Sequence, residues 1–198
     1  MPVAEIYSGL VTLIGKMFLF WLLVALAVLD AENLWLPDWL TLPGAMLGFI
    51  SFFLRIKLSS DNVLRFYGAL SLQKRFLFQA SFKWLLGILA AAVLILLIRW
   101  VYWLIRRREG IGLGDAKLMA LLAAWLGLPG AMLAFGLGVV LGALVAVVLL
   151  AIPSSPQNQP EGWAASKLPL GTFLCIGGIV SGLWGHQIIA AYMQWAGF

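Results

Sequence analysis

Residues 84–105 read WLLGILAAAVLILLIRWVYWLI, a run in which Arg99 is the one charged position. At 1.5 Å per residue such a helix is about 33 Å long, enough to cross the roughly 30 Å hydrocarbon core of a bilayer. Arg106-Arg107-Arg108-Glu109 follows directly and closes the run with charge. The stretch reads as a membrane-spanning helix, and the remainder of the chain is read outward from it.

The whole sequence has the same character. Of 198 residues, 63% are hydrophobic and 11% charged, with a mean hydropathy of +1.02, far from the composition of a soluble domain. Upstream, spans are predicted over about 10–29 and 40–54, separated by Asp30-Ala31-Glu32-Asn33-Leu34-Trp35-Leu36-Pro37-Asp38. Asp38 follows Pro37 and precedes Trp39-Leu40-Thr41-Leu42, the pattern of a structural cap on the second span. Ala25-Leu26-Ala27 could pass for a leader cleavage site, but the long run and the absence of an early base favour an uncleaved first span.

Downstream, Asp115 to Ile152 would measure about 57 Å as one helix, nearly twice the hydrocarbon thickness. Two spans are therefore expected, about 115–127 and 131–152, broken at Pro129-Gly130. A polar loop leads to a last span over about 168–192. The expected fold is all-α and membrane-embedded, a bundle of six transmembrane helices forming a single domain over 1–198. Residues 55–83, with six of the thirteen Lys and Arg and the single acid Asp61, are expected as a long amphipathic connection between the second and third helices.

The net charge of +5 does not point to nucleic acid, because the bases sit between apolar runs, where they set topology and meet lipid headgroups. Cys175 is the only cysteine, so no internal disulfide or cysteine-based zinc site can form. It is expected to be a packing residue. His186 is expected to make a hydrogen bond inside the bundle. No metal or cofactor is expected.

Six crossings would place the 30–38 turn, the 106–117 turn and the 153–167 loop on one face. Six of the eight acids, Asp30, Glu32, Asp38, Glu109, Asp115 and Glu161, fall on that face. Acids at a membrane boundary are costly unless paired or wet, which makes Asp30 and Asp115 functional candidates. Two carboxyls held close share a proton, so that one can activate water while the other protonates a carbonyl oxygen. That is aspartyl-protease chemistry, although topology alone also allows two acids solvated at helix ends. Gly110, Gly112 and Gly114 permit irregular backbone or close approach of another chain beside Asp115, and small residues of this kind also serve helix contacts. Lys117 either snorkels or tunes Asp115.

These segments resemble the type IV prepilin peptidases. Asp30 followed by Pro37-Asp38-Trp39-Leu40-Thr41-Leu42-Pro43 is similar to the first signature of that family. Glu109-Gly110-Ile111-Gly112-Leu113-Gly114-Asp115-Ala116-Lys117-Leu118 resembles the second, built on Gly-x-Gly-Asp-x-Lys. Leu168-Pro169-Leu170-Gly171-Thr172-Phe173-Leu174 is a weaker match to the opening of the family's last span. The resemblance implies a bacterial inner-membrane aspartyl endopeptidase with six helices and its site facing the cytoplasm. It implies Asp30 and Asp115 as the catalytic pair. Its substrates would be type IV prepilins or type II secretion pseudopilins, whose basic leaders suit the acidic face.

Many members also carry an N-terminal cysteine-bearing zinc region associated with N-methylation. These residues contain no such region, so the expectation covers leader cleavage and not methyl transfer. Counting bases gives five on the acidic face, Arg106, Arg107, Arg108, Lys117 and Lys167, against six in the 55–83 connection. The orientation therefore follows the signatures, not the charge count. Presenilin-like proteases share Gly-x-Gly-Asp but place Tyr before the first Asp, where this chain has Leu29. A proton-coupled transporter or channel using paired acids is the rival from another class, and it predicts acids near mid-membrane.

Overall fold

A computed structural model describes residues 3–33, 36–67, 70–107, 112–151 and 169–197. Among them all regular structure is helical: α1 Val3–Asn33, α2 Asp38–Tyr67, α3 Leu70–Arg106, α4 Leu113–Ala151 and α5 Leu170–Trp195. Each helix contains a segment long and apolar enough to cross a membrane, at Gly9–Asn33, Asp38–Ile56, Leu77–Arg106, Leu113–Leu149 and Leu170–Trp195.

The described residues thus give five helices where six were expected. The residues from 115 to 151 lie in α4, whose two helical arms meet at a kink where Gly127, at φ 74° and ψ 171°, leaves helical geometry. That left-handed φ suits a residue without Cβ, and Pro129 then sits in the first turn of the second arm of α4, where its missing N–H costs nothing. The chain changes direction there. On its near side Leu122 lies against Gly178 and Leu126 against Gly182, so numbers on α4 and α5 rise together. On its far side Ala134 lies against Gly177 and Gly142 against Phe173, so they run opposed.

The long amphipathic connection expected over 55–83 does not stand out as an element of its own. α2 continues to Tyr67 and α3 begins at Leu70, so both helices run on past their apolar segments. Backbone hydrogen bonding satisfies itself within a helix, so the edge of the apolar run gives the backbone no reason to stop.

The first arm of α4 is the centre of the molecule. Leu118, Met119, Leu121, Leu122, Ala123 and Ala124 are all buried. The indole N–H of Trp125 donates to the Gly44 carbonyl on α2 at 2.9 Å, and that of Trp84 on α3 donates to Ala124 at 3.1 Å. Gly178 on α5 lies against both Leu122 of this arm and Leu23 of α1. Outside, Leu13, Ile50, Leu97, Val147 and Trp184 point away from the protein. With apolar groups on both sides of each helix, packing and internal hydrogen bonds hold the bundle together instead of water exclusion.

Candidate active site

On α1, Leu19, Leu22, Leu23 and Leu26 are buried at i, i+3, i+4 and i+7, and Asp30 continues the same stripe one turn on. On α4, Asp115 leads a stripe through Leu118, Met119 and Leu122. The periodicity that makes these faces pack therefore carries both acids inward, leaving Asp30 5% and Asp115 7% exposed. Glu32, off the stripe, is exposed. The two carboxyl groups lie close enough for their charges to act on each other, and both charges also act on the buried Cys175 of α5.

Each carboxylate is held by backbone at a helix start. α4 opens at Leu113, so Asp115 is its third residue, and its carboxylate accepts a hydrogen bond from the Gly112 backbone N–H. This is how an acid at that position closes a first turn. Asp30 serves the same purpose for another helix. α5 opens after Pro169, which offers no side-chain cap, and the orphan N–H of Thr172 donates to Asp30 Oδ2 at 2.6 Å. The Thr172 hydroxyl lies 3.1 Å from the same oxygen and 3.2 Å from the Ala27 carbonyl. A Cβ on Gly171 would stand 2.7 Å from Asp30 Oδ2 and 2.8 Å from its Cγ, so the approach needs glycine.

The remaining candidates divide. Gly114 is helical, and a Cβ there would meet Leu36 Cδ1 at 3.0 Å, so its bare face receives the Leu36 side chain. Gly112 lies at the exposed edge beside Asp115, and Gly110 lies outside the described residues. Pro37 is buried, and its carbonyl accepts from Leu40 and Thr41, each at 3.2 Å. Asp38 opens α2, with its carboxylate accepting from Lys117 Nζ, so Lys117 ties α4 to α2 at the exposed surface. His186, expected inside the bundle, is exposed. Cys175 is buried as a packing residue should be.

Two residues at the site, Gly171 and Thr172, were quoted from the sequence without a role. The signal that finds them is a capless helix start at Pro169 together with an acid that ends another helix.

Comparison with known proteins gives a consistent set of matches. The model of the type IV leader peptidase family matches residues 17–147. The prepilin leader peptidase/N-methyltransferase of Pseudomonas aeruginosa is 32% identical over 186 residues, covering 93% of this chain and 54% of that protein. The protein of the same name from Pseudomonas putida is 32% identical over 198 residues, 100% of this chain and 59% of the relative. That of Stutzerimonas stutzeri is 32% identical over 182 residues, 92% and 53% respectively. The chain therefore spans little more than half the length of the curated relatives it matches. No solved structure matches it.

Proposed function

We propose, on the premise that this chain belongs to the type IV leader peptidase family, that it is a membrane aspartyl endopeptidase with Asp30 and Asp115 as its catalytic pair. Its substrates are type IV prepilins or the related pseudopilins, cut between a basic leader and the hydrophobic segment after it. The observation that carries this reading is the burial of two acids from distant parts of the chain, near the ends of their helices and within electrostatic reach of each other.

The chemistry needs no more than the pair and a water. One carboxylate takes a proton as the water oxygen bonds to the peptide carbonyl carbon, and the other carboxyl gives its proton to the carbonyl oxygen. When the C–N bond breaks, the first carboxyl passes its proton to the amine nitrogen. A hydroxyl of the tetrahedral intermediate returns one to the second, restoring the starting state. The residues form one membrane-embedded domain with six crossings, the hairpin at Gly127 supplying two, in the bacterial inner membrane with the pair on the cytoplasmic side. The paired acids at helix ends disfavour the transporter alternative, which needs them at mid-depth.

The test is incubation of the purified protein with a type IV prepilin and mass spectrometry of the product, which reads the cut site and any added methyl group together. Asp30→Asn and Asp115→Asn are each expected to lower cleavage by at least about a thousandfold at unchanged protein level. Full activity in either variant would remove the assignment.

A further inference from the structure

Asp30 and Asp115 are chemically identical, so something outside them must decide which takes the proton of water and which gives one to the carbonyl. Their surroundings differ. Among the described residues, Asp115 has the Gly112 N–H as its donor, at the exposed edge of the site. Asp30 Oδ2 accepts from the Thr172 N–H at 2.6 Å, and the Thr172 hydroxyl lies 3.1 Å from the same oxygen, shared with the Ala27 carbonyl at 3.2 Å. The Thr172 N–H belongs to the first turn of α5, where no intrahelical acceptor exists and the helix dipole favours an anion. Gly171 closes the other side, with room for the carboxylate and for no Cβ.

From this asymmetry, and resting on the catalytic-pair reading, we infer that Thr172 is a positioning residue that holds Asp30 as the proton-accepting member of the pair. An oxygen that accepts a backbone N–H at a helix N-terminus is favoured as the anion, and the Asp30 side chain cannot rotate without losing its contacts with the Thr172 N–H and hydroxyl. Oδ1 is left to face the water. Asp115 is then the member that gives its proton to the carbonyl oxygen. Asp30 first accepts a proton from the water as its oxygen bonds to the carbonyl carbon, and later passes that proton to the leaving amine as the C–N bond breaks.

Thr172→Val removes the hydroxyl and keeps the shape. Thr172→Pro removes both donors at a first-turn position that accepts proline. Thr172→Ser keeps both. On a purified prepilin, Val is expected to lower kcat by about tenfold and Pro by about a hundredfold, with KM within about twofold in each, because only the reacting geometry is lost. Ser is expected to retain kcat within about threefold of wild type. A residue that merely packed would show Ser failing as badly as Val, or losses in KM.

Should Val fail to fold, Thr172→Ala carries the same expectation. Unchanged kcat in Val and Pro, or Ser as impaired as Val, overturns the inference. Asp30→Asn and Asp115→Asn run in the same assay separate the two levels. If these retain activity the catalytic pair itself is wrong, whereas if they are dead and the Thr172 variants are not, only the role of Thr172 falls.

Discussion

At the scale of single residues, the site depends on atoms that are missing as much as on those present. Gly171 has no side chain, and a methyl there would displace the carboxylate of Asp30. Gly171→Ala is therefore expected to lower the initial rate of prepilin cleavage by about ten- to a hundredfold, the cost of misplacing a reacting group by a fraction of an ångström to an ångström. Gly136→Ala is the control, since a Cβ there meets nothing within 4 Å, and its rate is expected to match wild type. Asp30 and Asp115 were legible as candidates in the sequence because one ends an apolar run and the other opens one, each beside turn residues. Their partners were not, since Thr172 lies 142 residues from Asp30 and no local pattern records a contact across that distance. Asp38 shows the same limit. Its place at the start of α2 could be read, but its bond to Lys117 could not.

Among the elements, α5 does the most with the least. Gly177, Ser181 and Gly185 recur at intervals of four and turn toward the second arm of α4, where Ser181 donates to the Gly130 carbonyl at 2.8 Å. Gly178 and Gly182 turn toward α1 and the first arm. Small residues on two faces let one helix touch both arms of a hairpin and a third helix, the close backbone approach that membrane bundles rely on. A Cβ on Gly177 would run into the Ala134 carbonyl, which is backbone and cannot swing aside. Gly177→Ala is expected to destabilise the fold by about 1–3 kcal/mol, read as a fall of several degrees in apparent melting temperature in detergent. Apolar length announced each of these elements. Their ends were harder, because Gly127 interrupts helical geometry for one residue and the basic, aromatic 55–83 stretch is as able to continue a helix as to begin another.

For the whole molecule the decisive matter is direction. If the chain crosses twice at α4, both termini share one side and the carboxylate pair faces the other. A single crossing would put the termini on opposite sides. Cys175 is buried, so the wild-type chain is expected to be inert to an impermeant maleimide, while Tyr7, Leu113 and Trp195 are well exposed. In intact bacterial cells Tyr7→Cys and Trp195→Cys are expected to label without permeabilisation and Leu113→Cys only after it. Tyr7 and Trp195 labelling from different sides would show a single crossing.

The hairpin carries one more consequence. From Leu113 to Gly127 the first arm is about 21 Å long at 1.5 Å per residue, some 9 Å less than the hydrocarbon it stands in. Because α2, α3 and α5 pack around that arm, the shortfall is met by protein and not by lipid, and a change in bilayer thickness is expected to reach the arm only through the helices that enclose it.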